Sequence, residues 1–316
     1  MMPELIATDL WRIPLAMPVG PDFVNVYLLR APGGWILIDT GMGFPAVFDE
    51  LAAALSHIGV EPTQLSPILL THVHPDHAGN APALARLSGA PIYVHRADID
   101  LLNWILQPRG AAVSSLKEMF LAAGAAPERV TEVVPAAARL FALFRPLADP
   151  RPIFHGDSFP TALGSLNVIH TPGHSPGHVC FHLPEKGLLF SGDTVLENIY
   201  PHIGFLDGHD CFGDFLSTLD RLDSLPPVRI LPSHGQAFDG LDSWTSRTRV
   251  EALRRLSATR SLASEGHSPA QIVDRIWRRD LSPVDYQLAL TSVLAQLACK
   301  AGSGTEQMPN NPRSSS

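Results

Sequence analysis

The sequence predicts an α/β fold, and three observations lead there. Short apolar segments such as Val24–Leu29, Trp35–Asp39 and Ile68–Leu70 read as strands; the second ends in Asp39, before Thr40-Gly41, and the third leads into Thr71-His72. Helix-spaced apolar positions, such as Phe48, Leu51, Leu55 and Ile58, fall between them. After Ser243 the pattern becomes purely helical.

In chain order, Leu5–Leu15 and Val24–Leu29 read as strands, and Gly33-Gly34 turns the chain into a third, Trp35–Asp39. The helix over Phe48–Ile58 should lie outside a sheet, with His57 on its surface. Ile68–Leu70 leads as a buried strand into Thr71-His72-Val73-His74-Pro75-Asp76-His77. A helix over Ala81–Leu87 and a strand over Pro91–His95 follow, with His95 structural. From Ala97 to about Leu147 apolar clusters around Leu101, Trp104, Leu116, Phe120, Val130 and Val133 predict two or three amphipathic helices. This inserted block fits packing on the sheets, a dimer interface, or an apolar lid that favours an acyl chain or an aromatic substrate.

Ile153–Phe159 reads as a turn between strands, with His155 structural. Leu166–Thr171, Val179–Leu183, Gly187–Ser191 and Val228–Leu231 read as strands, and Phe212–Leu225 as a helix. In the tail, Val250, Leu253 and Leu256 mark one helical face, Ser268-Pro269-Ala270 has the cap and first-turn proline of a second helix, and Tyr286–Leu297 forms a third. Gly302–Ser316 has little to bury and reads as disordered.

The chemistry gathers after Leu70. Alternation on an extended segment puts His72 and His74 on one side, and Asp76 and His77 follow where Pro75 turns the chain. Imidazole nitrogens and carboxylate oxygens are the ligand types that suit zinc, iron or manganese. Further histidines crowd 170–182, where Pro172-Gly173 supplies a tight loop before His174. Asp193 closes a strand, where it could bridge two cations or cap a turn.

Five motifs together carry a resemblance: Leu37-Ile38-Asp39-Thr40-Gly41, His72-x-His74-x-Asp76-His77, His170-Thr171-Pro172-Gly173-His174, Phe190-Ser191-Gly192-Asp193-Thr194 and Leu231-Pro232-Ser233-His234-Gly235. In this order they resemble the signature of the metallo-β-lactamase-fold hydrolases. The helical tail resembles the small winged-helix-like domain of one branch, which includes an endoribonuclease and polyketide thioesterases. The resemblance implies an αββα four-layer sandwich with a helical insert and a small helical, winged-helix-like C-terminal domain. The expected division is a catalytic domain over 1–243 with its insert at about 97–147, a helical domain over 244–301 and the tail 302–316.

It also implies a dinuclear site for two divalent metal ions, with zinc expected. His72, His74 and His174 would hold the first ion, and Asp76, His77 and His234 the second, with Asp193 bridging. Asp76 would also orient a metal-bridging hydroxide and pass its proton on. Asp39 fits either a turn or cap role, or a carboxylate holding a ligand histidine in one tautomer, and the resemblance favours the second. His170 and His178 would hydrogen-bond in the interior. Tyr200 and His202 are candidate catalytic residues that could donate to a developing oxyanion, with a structural role as the alternative.

At 316 residues the chain can bury a substantial core, and 45% hydrophobic with 17% charged residues is ordinary for a soluble enzyme. A formal net charge of −8 leans against nucleic acid as a partner. The arginines 247, 249, 254, 255 and 260 fit a nucleic-acid face or a solvated helix diluted by Asp242 and Glu251. Cys180, Cys211 and Cys299 form no disulfide framework, which suits a reducing compartment. Met1–Asp9 lacks a secretory pattern and no apolar run reaches a membrane span, so a cytoplasmic protein is expected. The leading expectation is a hydrolase of esters, thioesters or lactones with an apolar portion, acting on a small molecule, with a homodimer as a possible assembly. A phosphodiesterase or endoribonuclease, a mononuclear iron persulfide dioxygenase and a non-catalytic scaffold are the alternatives.

Overall fold

The computed structural model describes residues 1–18, 22–107, 110–226, 228–277 and 280–301; the segment 302–316 expected to be disordered lies outside the described residues. The first sheet takes its strands in chain order: β1 (Glu4–Ala7), β2 (Leu10–Ala16), β3 (Phe23–Ala31), β4 (Gly34–Ile38), β5 (Leu65–Leu69), β6 (Ile92–His95) and β7 (Arg151–Ile153). It is antiparallel from β1 to β4 and parallel from β4 to β7. The second sheet contains β8 (Ser158–Thr161), β9 (Gly164–His170), β10 (Val179–Leu183), β11 (Leu188–Gly192), β12 (Arg229–Pro232) and β13 (Phe238–Asp239), again in sequential order. There only β11 and β12 pair in parallel.

Strand alternation builds the layers. On β3, Tyr27 and Leu29 face the second sheet and pack with Val168, Phe181 and Phe190. Val24, Val26 and Leu28 face the other way, onto the helices α1 (Pro45–Ile58), α3 (Ala81–Ser88) and α4 (Arg96–Ile105). The short α2 (Pro75–Ala78) follows β5. On the far side of the second sheet, Cys180, Leu189 and Ile230 pack on α7 (Cys211–Asp223) and α8 (Leu241–Ser264). The result is helix, sheet, sheet, helix, the four-layer sandwich the motifs imply. Both faces of each sheet are covered, which is why the central strands read as continuous apolar runs. Fully buried side chains such as Leu28, Phe181 and Phe190 each contribute roughly 1.5–3 kcal/mol.

Several boundaries differ from the sequence reading for local reasons. Leu5–Leu15 is two strands, because Asp9 adopts a left-handed φ of 64° and turns the chain. α1 starts at Pro45, where the proline's fixed φ suits the first turn, and ends at Gly59 with φ 81°. The turn expected within 153–159 carries the chain from the first sheet to the second, and His155 in it is exposed. The face of α8 read from Val250, Leu253 and Leu256 is corrected: Val250 is 69% and Leu253 45% exposed. The buried stripe instead runs through Trp244, Thr248, Ala252, Leu256 and Thr259. It combines Thr and Ala with larger side chains, so hydrophobicity alone does not reveal it.

The insert forms α4, α5 (Ala111–Ala122) and α6 (Pro127–Phe141). The chain closes with α9 (Pro269–Trp277) and α10 (Pro283–Ala298). Phe120 and Val133 of the insert share one apolar core with Ile272, Tyr286, Leu290 and Val293. Insert and tail are therefore packed together, although more than a hundred residues separate them in the chain. Position 243, the expected domain edge, lies in the first turn of α8. No helix among the described residues is long and apolar enough to cross a membrane.

Candidate metal centre

The ligand-type side chains leave the sandwich at strand ends. Leu70–His74 extends from β5, and Pro75 starts α2, which carries Asp76 and His77. His174 follows β9, Asp193 follows β11 and His234 follows β12; these three strands run in one direction, so their C-terminal ends share an edge. Gly173 has φ 137°, and a Cβ there would lie 2.7 Å from Phe215 Cβ, so only glycine permits this loop to pack on α7.

The seven expected ligands fall into two groups of four that could each hold an ion, with Asp193 in both. In the first, His74 Nδ1 lies 2.9 Å from His72 Nε2 and 3.0 Å from His174 Nε2. His174 Nε2 is 3.3 Å from Asp193 Oδ2. In the second, His77 Nε2 is 3.3 Å and His234 Nε2 3.5 Å from Asp193 Oδ1, and both nitrogens approach Asp76 Oδ2, at 3.5 and 3.4 Å. His77 Nε2 is buried and lacks a hydrogen bond of acceptable geometry. Converging imidazole lone pairs, two carboxylates and an orphaned ring nitrogen fit a divalent cation in each group.

The other nitrogen of four of these rings is occupied. His77 Nδ1 lies 2.8 Å from Asp39 Oδ2, His174 Nδ1 2.8 Å from His202 O, His234 Nδ1 3.0 Å from Phe23 O and His72 Nδ1 3.0 Å from Thr71 Oγ1. Such contacts fix ring orientation and leave Nε2 to face the centre. Asp39 also accepts from Thr71 N and Thr71 Oγ1, both at 2.8 Å. It does so from a left-handed backbone with φ 59°.

Electrostatics divides the rings. Burial, reinforced by the neighbouring imidazoles, holds His72 well below the ordinary histidine range and His74 down at about 3. Burial also works against charge on His77, but Asp76, Asp193 and Asp39 outweigh it and hold that ring well above the ordinary range. Burial would raise Asp76 and Asp193; His77, with His234 close by, overcomes it and keeps both carboxyls ionised. Protons and metal ions thus compete for the same carboxylate-lined space.

The remaining histidines have other partners. His178 is fully buried; its Nδ1 lies 2.8 Å from Thr171 Oγ1 and its Nε2 accepts from Asp193 N. His170 stacks on His95 with centroids 4.0 Å apart. His202 lines a cavity of about 760 Å³ that also reaches His74 and His174. Its ring is pushed down to about 3 by burial and by His174, and its Nδ1 lies 3.3 Å from Ser292 Oγ on α10. Tyr200 is not brought to this cavity among the described lining residues. It packs against Phe215 beneath the Arg255 guanidinium, which lies 4.1 Å above its ring, and its hydroxyl is buried without a partner.

One motif misleads and one residue escapes the motifs. Gly173-His174-Ser175-Pro176-Gly177 spells Gly-x-Ser-x-Gly, the pattern of a serine nucleophile. Yet Ser175 is buried between two strands and donates to Asp98 at 3.0 Å, so it serves the loop. Asp98 itself is fully buried beside the ligand loops. In sequence it looks like an ordinary first-turn acid of a helix, and no spacing marks it.

Comparison with known proteins decides the family. A model described as the metallo-beta-lactamase superfamily matches residues 19–234. The chain belongs to this superfamily. A metallo-beta-lactamase family protein from Thermus thermophilus superposes with a TM-score of 0.81 at 26% identity, covering 93% of both chains. A beta-lactamase domain protein from Burkholderia ambifaria shares the fold, with a TM-score of 0.81 at 24% identity over 94% of this chain and 88% of that one. Among superfamily relatives in sequence, the lactamase-like protein aptB of Emericella nidulans is 27% identical over 72% of this chain and 55% of its own length. The atrochrysone carboxyl ACP thioesterase of Aspergillus fumigatus is 26% identical over 75% of this chain and 44% of its own length. The chain thus matches about half the length of these curated relatives.

Proposed function

We propose that the chain is a metal-dependent hydrolase that cleaves a thioester, ester or lactone of a small molecule with an apolar portion, using two divalent ions, zinc first among them. The observation that carries this reading is the cavity beside His74 and His174. Leu101, Trp104, Leu116, Met119 and Phe144 line it, and no Lys or Arg occurs among its described lining residues. Such walls suit an acyl chain or a fused aromatic ring and offer no Lys or Arg to a phosphate. Relatives named atrochrysone carboxyl ACP thioesterase in two fungi support an acyl thioester.

Four of the five arginines named on α8 are engaged within the chain, which weighs against a nucleic-acid substrate. Arg249 pairs with Asp220 and Asp223, Arg254 and Arg255 with Glu251, and Arg260 donates to the carbonyls of Cys299 and Ala301.

Bound to these two groups, divalent ions would supply a water of lowered pKa and polarise the scissile carbonyl. His72, His74 and His174 hold one position, Asp76, His77 and His234 the other, and Asp193 serves both. Asp76 would accept the proton of the attacking water at a carboxylate oxygen and pass it to the departing thiol sulfur or alcohol oxygen as the acyl bond breaks. His202, a neutral ring on the cavity wall, would donate from Nε2 to the carbonyl oxygen, with Nδ1 accepting from Ser292 Oγ. The apolar walls orient the acyl part and exclude bulk water.

The test is thiol release from acyl thioesters of increasing chain length by metal-loaded protein, with His72→Ala as control. Turnover that rises with chain length and vanishes in the variant supports the reading. No release at any length rejects the thioester form and moves the assay to lactones and esters.

A further inference from the structure

We propose that Asp98 is a positioning residue that holds the two chain segments supplying His72, His74 and His174 at the separation the metal group needs. This inference rests on the metal reading above. His72 and His74 flank Val73, and His174 precedes Ser175. Asp98 Oδ2 accepts from Val73 N at 3.0 Å and from Ser175 Oγ at 3.0 Å, and its Oδ1 accepts from Gly177 N at 2.6 Å. One buried carboxylate therefore bonds to the backbone between two ligands and to the loop just after the third. A backbone hydrogen bond from Val179 N to Thr71 O also joins the segments, but outside the ligands.

The neighbouring glycine belongs to the same device. A Cβ on Gly177 would lie 2.5 Å from Asp98 N and 2.7 Å from Asp98 Oδ1, so only glycine lets the loop come up to the carboxylate. The chemistry also requires a carboxylate. Both oxygens accept from backbone N–H groups, and an Asn nitrogen facing either one opposes donor to donor. Asp98 lies on α4, whose Leu101 and Trp104 line the cavity, so one helix shapes the substrate wall and spans the ligand loops.

The test uses full-length protein stripped of metal and titrated with zinc against a chromophoric chelator. Cobalt(II) absorption reports each position separately, and thermal unfolding is followed in parallel. The variants are Asp98→Asn and Ser175→Ala, with His174→Ala marking which ion belongs to the first group. Asp98→Asn is expected to weaken that ion about 10–100-fold and leave the other near its wild-type affinity. Ser175→Ala should weaken the same ion by less, and it decides the matter if Asp98→Asn does not fold. A wild type that binds two ions while both variants match it, or lose both ions equally, overturns the positioning role and leaves the metal reading standing. A wild type that binds no ion overturns the metal reading itself.

Discussion

His174 Nε2 stands 3.0 Å from His74 Nδ1, although the two residues are 100 positions apart in the chain. Two bare imidazole lone pairs repel at that distance; a shared cation or proton makes it favourable. The contact therefore belongs to a cluster able to hold metal, and that cluster is complete only when two distant segments have folded against each other.

Removing one of those rings should be decisive. His174→Ala is expected to lose the first-group ion and to lower thioester turnover by more than the ~10–100-fold typical of outer partners. Metal content after dialysis and single-turnover rates check it; a fully metallated, active variant would contradict the assignment.

Asp39→Asn tests the hydrogen bond behind His77. Asn tolerates the left-handed backbone at this position, with its φ of 59°, so the fold should survive. The amide replaces one of the two accepting oxygens, and metal affinity should fall about 10–100-fold. Chelator competition reads this directly, and unchanged affinity argues that Asp39 only shapes the turn.

The gathering of seven ligand-type side chains was legible because strand ends concentrate it. Four of its seven members sit within six positions, and Pro172-Gly173 and Gly192 flank two more in short recognisable loops. The four-layer fold followed from the same motifs. The outer partners were less visible, since they combine backbone carbonyls, as at His202 and Phe23, with one buried acid on a helix. Charge and hydrophobicity do not encode such contacts. The shared core of insert and tail was hidden for a related reason: each half shows an apolar face, but nothing in a linear pattern says which face meets which.

Acid should destabilise the metal-free protein partly through His95. Burial and the stacked His170 ring push His95 down to about 4, so it stays neutral when folded. The unfolded chain takes up the proton near 6.5, so this contribution is complete above about pH 6.5 and is lost as pH falls towards 4. His95→Asn keeps a side-chain acceptor for Ala97 N at the start of α4 and removes the titration. Its stability should vary less across that window in urea unfolding at several pH values; an unchanged slope would remove His95 from the account.

Filling the cavity should separate short substrates from long ones. Leu101→Trp is expected to raise KM for long-chain thioesters while leaving acetyl or butyryl thioesters nearly unaffected. Equal effects at all lengths would mean that the acyl chain lies elsewhere.

Thr259 on α8 donates to Gln296 Oε1 on α10 at 2.6 Å, and both residues are buried. Thr259→Val strands the amide oxygen and should cost about 1–3 kcal/mol of stability. Chemical denaturation measures it, and a change well below that range would mean water replaces the hydroxyl.

The common apolar core of α5, α6, α9 and α10 has a consequence for any change to the chain. If the insert were removed from this chain, the apolar side of α9 and α10 would be left bare, and the converse holds as well. The two stretches therefore have to be shortened, lengthened or transplanted as a pair.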